Sequence, residues 1–353
     1  MAHIDELRVE RYRGIKGLRI RNLKRMNLIL GDHNCGKTSV LEAIQRLGAK
    51  GSADVIQVAR QRDALAVEGA SSAYDSFICM FPRDHEDGLS IAVSGICDGT
   101  DMSFSLAGRK DRILPDPGEP DGATEAEAFD GVMRVSCGRT EKEEHIRIHP
   151  YSGMNGAAPA ERDQPETVYV SPYDHLMGNS MSHIRRNETC RDICVKALQS
   201  FDPDIEDLMI FQSDTGDRPA EYLRHRRLGD MPVSTYGDGL KNVLTIFDTV
   251  AQAAGGILLM DEMETWIHAN LDDDIFRWIL KACITFDVQV FITTHSLEVI
   301  DGILAAQDYE NGQKEDDVCV CTLKRDEAGT LSRVLSGRHV YENRESFGFD
   351  VRV

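Results

Sequence analysis

The stretch Gly31-Asp32-His33-Asn34-Cys35-Gly36-Lys37-Thr38 limits what this chain can fold into more than any other. It fits G-x-x-x-x-G-K-[ST], with the apolar run MNLIL before it and helical spacing through Val40, Leu41 and Ile44 after it. A strand that stops at a glycine, turns and opens a helix points backbone N–H groups and the positive end of the helix dipole at one place. The glycines let the backbone wrap a phosphate, the lysine neutralises its oxygens, and the hydroxyl that follows can ligate a divalent cation. With glycine near ~7% of residues, the bare pattern arises by chance in a chain of this length roughly once in a hundred cases. The flanking strand and helix supply the context that makes it a phosphate cradle over Gly31, Asp32, His33, Asn34, Cys35, Gly36, Lys37, Thr38 and Ser39.

The charge balance narrows the partners. The chain has 353 residues and a net charge of −19, which disfavours a surface devoted to duplex DNA. Residues 1–50 nevertheless hold eleven Lys and Arg against five Asp and Glu, so the phosphate end is basic and the remainder acidic. Nine cysteines show no zinc spacing: Cys190 and Cys194 are four apart, Cys319 and Cys321 two apart, and no histidine completes a set. Reduced, mostly buried thiols are expected. No apolar stretch approaches ~18 residues and the start reads as no signal sequence, which points to a cytoplasmic protein without a membrane partner.

Along the chain, IDELRVERYRGIKGLRIRNL reads as a hairpin turning at Gly14 and Gly17. Residues 77–150 supply short β-like runs: FICMF, LSIAVSGI, MSFSL, VMRVSC and HIRIHP. Between them PDPGEPDGATEAEAFDG reads as a mobile loop, and SGMNGAAPAERDQPE as a second one before the strand TVYVSP. Residues 178–212 look helical, through RDICVKALQSF and DIEDLMIF. The helix-like GLKNVLTIFDTVAQAA then leads into the strand GGILLMDE, and DDDIFRWILKACITF into VQVFITTHS. That rhythm predicts a largely parallel, buried sheet.

Three further motifs join the loop. Asp261-Glu262 closes the strand GGILLM, placing two carboxylates at the ligand-binding edge of an α/β sheet. Asp261 is expected to hold Mg2+ and Glu262 to polarise an attacking water. Thr293-Thr294-His295-Ser296 ends the next strand; a histidine there is commonly a packed or capping residue, but beside such a loop it is placed to sense a γ-phosphate. Gly237 and Gly239, in VSTYGDGLKNVL, flank a second helix start able to meet a phosphate, although alone they read as a plain turn capped by Asp238.

The order of these four motifs resembles that of ABC-type ATPase heads, in the branch with RecF, the SMC/Rad50 heads and the OLD family. LRVERYRGIKGLRIRNLKRMNLILGDHNCGKTSVLEAIQRL looks RecF-like, while YGDGLKNVLTIFDTVAQAAGGILLMDEMETWIHANL with QVFITTHSLEVID is most similar to stand-alone AAA15/OLD-type ATPases. Even the ending FGFDVRV is similar to tails in that group. The likeness implies an α/β P-loop NTPase with an ABC-type head: a mixed, mostly parallel core sheet, an antiparallel β-subdomain and a helical lobe. It implies one head over 1–353, with a β-rich subdomain at 70–165, a helical lobe at 175–230, the signature, Walker B and switch-histidine part at 231–305, and a C-terminal extension at 306–353. ATP and Mg2+ would be the cofactors. Lys37, Glu262 and His295 would be catalytic, Thr38 and Asp261 the Mg2+ ligands. Tyr236, Gly237, Asp238 and Gly239 would form a signature acting on the ATP of a partner subunit, so a homo-oligomer is implied: a head-to-head dimer or a larger assembly. Gly237 stands where transporter-type signatures have serine, and a backbone N–H could replace the lost hydroxyl contact. The Q-loop glutamine has no clear counterpart, the stretch after VYVSP being one candidate. Arg11 and Arg13, on the first hairpin, could face adenine or phosphate, but exposed basic strand residues are the simpler reading.

Paired heptad segments are absent, which excludes an SMC arm, and no acidic cluster after His295 suggests a fused nuclease. DHED reads as a solvated loop. The resemblance therefore implies an ATPase sensor or scaffold controlling a separately encoded effector, a nuclease or toxin, as in anti-phage systems such as PARIS and Septu. A RecF-like DNA-binding ATPase is the alternative, with nucleic acid the less favoured partner. An ATP-binding regulator with little turnover is a third reading, since Glu262 gives capability and not rate.

Overall fold

The computed structural model describes residues 3–63, 72–83, 88–113, 126–150, 166–174, 181–211, 220–267, 274–309, 316–327 and 329–352. The chain opens with β1 (Ile4–Tyr12) and β2 (Ile15–Arg21), then β3 (Met26–Gly31) and α1 (Lys37–Leu47). Next come α2 (Ser52–Arg60), α3 (Ala73–Ile78) and four long strands: β4 (Leu89–Cys97), β5 (Thr100–Ile113), β6 (Ala126–Cys137) and β7 (Thr140–Ile148). After β8 (Thr167–Val170) follow α4 (Ser182–Arg186), α5 (Glu188–Leu198), β9 (Ile205–Phe211), β10 (Ala220–His225) and β11 (Gly229–Pro232). The remainder is α6 (Asp238–Gln252), β12 (Ile257–Met260), α7 (Asp274–Thr285), β13 (Gln289–Thr293), α8 (Leu297–Ala305), β14 (Val318–Arg325), β15 (Thr330–Ser336) and α9 (Gly337–Phe347).

The core sheet runs β15-β14-β3-β13-β12-β8 and is parallel throughout except for β15, which returns antiparallel along β14. A six-stranded antiparallel sheet, β2-β1-β4-β5-β6-β7, lies beside it, and β11-β10-β9 form a third, antiparallel sheet. This is the expected α/β architecture, with a mostly parallel core and a separate antiparallel sheet.

Alternation explains the layering. In β3, Leu28 and Leu30 enter one hydrophobic core and Ile29 the other; in β12, Leu258 and Met260 face the first, Ile257 and Leu259 the second. Strands buried on both faces read as continuous apolar runs, which is why MNLIL and ILLM carry no polar residue beyond Asn27. Asn27 is fully buried and used: its Nδ2 donates to the carbonyls of Lys24 and Val290. The first core packs the sheet on α4 to α9, the second packs it on α1 and the antiparallel sheet.

Several expectations need correction. DIEDLMIF is not helical; Ile205–Phe211 is β9, paired with β10. FICMF is not a strand; Phe77 and Ile78 end α3, and Phe77 stacks edge-on against Phe81 and Phe129. Of the acidic segment PDPGEPDGATEAEAFDG, residues 126–131 begin β6; the rest, DHED and most of SGMNGAAPAERDQPE lie outside the described residues. The stretch at 175–230 expected to be a helical lobe holds α4 and α5 and then the three-stranded sheet. Residues 306–353 are no appendage: β14 pairs with β3 from Val318↔Met26 to Leu323↔Gly31, at the middle of the core sheet. All nine cysteines are free, and only Cys79 and Cys137 are not buried.

Candidate nucleotide site

The loop between β3 and α1 is shaped by two glycines. Gly31 has φ 132, and a Cβ there would overlap the carbonyl oxygen of Leu323 on β14. Gly36 has φ 108, and a Cβ would sit 3.1 Å from Ile15. Gly36 is the N-cap of α1 and provides no side-chain cap, so the first N–H groups of the helix remain available to an anion. The Lys37 ammonium lies inside the loop, donating to the carbonyls of Gly31 and Asp32, each at 2.9 Å. It is 8% exposed, and burial lowers its pKa, so an incoming phosphate would restore a compensating charge.

Across the loop, Asp261 follows β12 and is the hub of a hydroxyl network. Thr293 Oγ1 donates to its Oδ1 at 2.6 Å, Thr38 Oγ1 to the same oxygen at 3.2 Å, and Tyr169 OH to Oδ2 at 3.1 Å. The N–H of Glu262 donates back to Thr293 Oγ1 at 2.8 Å. Glu262 itself is left-handed, φ 51 and ψ 62, which for a non-glycine residue costs of order 1–3 kcal/mol and marks a constrained position. Its side chain is exposed and lines the cleft. Burial, then the neighbouring charges of Asp261 and Glu264, push its carboxyl pKa up.

His295 stands where β13 gives way to α8, which Ser296 caps by accepting the N–H of Val299. Its ring packs on that of His33, centroids 4.5 Å apart and planes 35° tilted. Its backbone N–H donates to Glu264 Oε1 at 2.9 Å, and its carbonyl accepts Arg352 Nη1 at 3.0 Å. Burial, Lys37 and His33 lower the pKa of the imidazole, favouring its neutral form.

These residues line one cleft of about 870 Å³ that also takes in Arg13, Lys16, Arg62, Arg83 and Arg325. Arg13 is therefore not an exposed strand residue: its side chain is 13% exposed and binds Glu42 of α1 through Nε (2.5 Å) and Nη2 (3.1 Å). Arg62 completes the set on Glu42 and reaches Ser39 Oγ at 3.1 Å. Lys37, Thr38, Asp261, Glu262 and His295 come together with the loop residues His33 to Ser39. Gly237, Asp238 and Gly239 do not; the helix start they form lies outside the cleft, and its N-cap is Gly237, not Asp238. Gly237 and Asp238 are exposed. Sequence reasoning missed Thr293 as a hub, Tyr169, Glu264, the Glu42 pair and Arg352. Only the hydroxyls of Thr-Thr-His-Ser carried a usable signal.

A second polar group, Asp202, Asp204 and His225, gathers at one end of the three-stranded sheet, just before β9 and at the end of β10. His225 Nδ1 accepts the N–H groups of Arg227 and Leu228, so the ring proton sits on Nε2 and faces Asp202 at 3.1 Å. That is a hydrogen-bonded corner with both ring nitrogens engaged, and not a donor set facing outward.

A family model described as "AAA domain, putative AbiEii toxin, Type IV TA system" matches residues 26–301, well over half of the chain. The chain belongs to this family. It is an AAA-type ATPase, and the matched span runs from the start of β3 into α8. The AAA chain is 22% identical to an ATP/GTP phosphatase of Helicobacter pylori over 97% of its own length and 99% of that protein. An uncharacterized protein of Methanocaldococcus jannaschii is 33% identical over 33% of this chain and 98% of its own. Among solved structures, an SMC head bound to the C-terminal winged-helix domain of ScpA aligns at TM-score 0.48 and 10% identity, covering 96% of this chain and 99% of that one. The recombination mediator RecF aligns at TM-score 0.43 and 14% identity, over 95% and 98%. Among the described residues, no helix of this AAA protein is long and apolar enough to cross a membrane.

Proposed function

We propose that two copies of this ATPase close head to head on ATP, and that the closed pair controls a separately encoded effector, a nuclease or toxin, in bacterial defence against phage. The observation carrying this reading is a division of parts. The cleft gathers the loop, Lys37, Asp261, Glu262 and His295, while the uncapped helix start at Gly237 lies outside it, exposed and available to another subunit. The family's description, with its AbiEii toxin and type IV toxin–antitoxin system, supports a role beside a cognate partner. In this reading the protein is one cytoplasmic head with the signature, Walker B and histidine in 231–305.

Within the cleft, the N–H groups from Gly31 to Ser39 hold the β- and γ-phosphates, and Lys37 moves from loop carbonyls to their oxygens. Thr38 Oγ1 and Asp261 Oδ1, 3.2 Å apart, are the hard-oxygen donors that Mg2+ favours and would hold it. Bound there, the ion supplies positive charge to the phosphate oxygens. Thr293 and Tyr169 orient Asp261 by donating to it. Glu262 accepts a proton from the attacking water, and neutral His295 donates to a γ-phosphate oxygen. Tyr236 to Gly239 approach the γ-phosphate of the partner's ATP.

The test is a pair of variants. Lys37→Ala is expected to abolish ATP binding, and Glu262→Gln to keep binding while trapping the closed pair. Equal ATP affinity in wild type and Lys37→Ala would remove the site assignment. Tagged Glu262→Gln protein, pulled from its host with ATP, should carry a stoichiometric protein partner. Duplex DNA retained at physiological salt without such a partner would replace this reading with RecF-like repair.

A further inference from the structure

The main chain of His295 is gripped from a segment that the phosphate-binding motifs do not include. Its N–H is taken by Glu264 and its carbonyl by Arg352, so both of its backbone polar groups are engaged. Arg352 is itself fixed by Asp350, through Nε to Oδ1 at 3.0 Å and Nη2 to Oδ2 at 2.7 Å. The neighbouring residues are anchored in turn. The Phe349 carbonyl accepts Arg344 Nη1 at 2.8 Å. Val351 is fully buried, and its carbonyl accepts Thr322 Oγ1 at 2.6 Å and Arg333 Nη2 at 3.2 Å. Thr322 belongs to β14, the strand that flanks β3 and its phosphate loop. Arg344 of α9 also pairs with Asp301 of α8, the helix that starts two residues after His295. Two arginines of one segment thus hold His295, at the junction after β13, and the helix that follows it.

With both backbone groups of His295 bound, its main chain has one orientation, and the stack on His33 limits what the ring can do. We propose that Arg352 is a positioning residue for ATP hydrolysis, holding the His295 backbone so that its imidazole stands in the cleft. It does not line the cleft and acts through His295. The assignment rests on His295 being the residue that meets the γ-phosphate.

The experiment measures kcat and KM for ATP on the full chain carrying Arg352→Ala, Arg352→Lys, His295→Ala, and Arg352→Ala with His295→Ala. A carbonyl grip lost near the chemistry is expected to lower kcat about tenfold, with KM changed less than about twofold. Arg352→Lys should recover part of kcat, because an ammonium can donate to the same carbonyl. Arg352→Ala should add nothing once His295 is alanine. Wild-type kcat in Arg352→Ala beside an impaired His295→Ala overturns the assignment, as does a full Arg352→Ala effect that persists in the double variant. Wild-type kcat in His295→Ala instead removes the reading of His295 beneath it. Should Arg352→Ala fail to fold, Asp350→Ala leaves the arginine in place but removes both oxygens that pin it; a several-fold drop in kcat at constant KM supports the grip, and unchanged kcat overturns it.

Discussion

Thr293 shows how much one hydroxyl can organise. By donating to Asp261 and accepting from the Glu262 N–H, it ties the Asp261 carboxylate and the Glu262 backbone to the end of β13, the neighbouring strand. The carboxylates then face each other's charge at close quarters, with Glu264 near. Like charges and burial both favour the protonated acid, so the Glu262 pKa lies above the ordinary 4.5. In the proposed role as base Glu262 must be deprotonated to act, so turnover is expected to be full above that raised value and to fall as pH drops through it. Glu264→Gln removes one of the like charges while keeping an acceptor for the His295 N–H. The acid limb of the kcat profile should therefore move to lower pH. A limb that stays put would show that burial and Asp261 set the Glu262 pKa without Glu264.

At the scale of elements, the contact between α7 and α8 offers a sharp contrast of two effects. Gly302 lies inside α8, and a Cβ there would overlap the ring of Phe276 on α7. Helix propensity alone favours Gly302→Ala by about 1 kcal/mol, while forcing a methyl into a packed contact costs about 1–3 kcal/mol. The clash outweighs the propensity here, because the obstacle is a ring that is 5% exposed and held in the core. Net destabilisation, read as a lower urea midpoint at unchanged slope, is the expected outcome. The same balance of local and tertiary effects decides what can be read from sequence. The loop, the Asp-Glu strand, α6, α7 and β13 were legible because each pairs a strong local pattern with sharp boundaries. Residues 205–211 misled because Ile205 and Leu208 are three apart, a spacing that a short twisted strand and a helix share; pairing with β10 settles it. FICMF misled by composition, although Ser72 and Asp75 form the capping box that announces α3. Tyr169, Glu42 and Arg352 were not legible at all. Their partners, Asp261, Arg13 with Arg62, and His295, lie 20 to 92 positions away, and no local pattern encodes such meetings.

For the molecule as a whole, net charge and topology bear on how it assembles. Two copies that each carry −19 repel one another at long range, and that repulsion decays over a Debye length of about 8 Å at physiological salt. Raising salt from about 0.05 M to about 0.3 M should therefore strengthen the ATP-dependent association of Glu262→Gln protein, followed by sedimentation. Association that weakens over the same range would point instead to an interface held by opposite charges. Topology has a consequence in time. The phosphate loop is written near the start of the chain, but Gly31 takes its unusual backbone against Leu323, and β3 is flanked by β14. A ribosome that has released α8 has delivered the loop, the carboxylates and the histidine, yet not the strand that closes the sheet beside them. The nascent polypeptide then holds every named motif and no finished cradle, so nucleotide capture waits for Val318–Arg325 to emerge and dock beside β3.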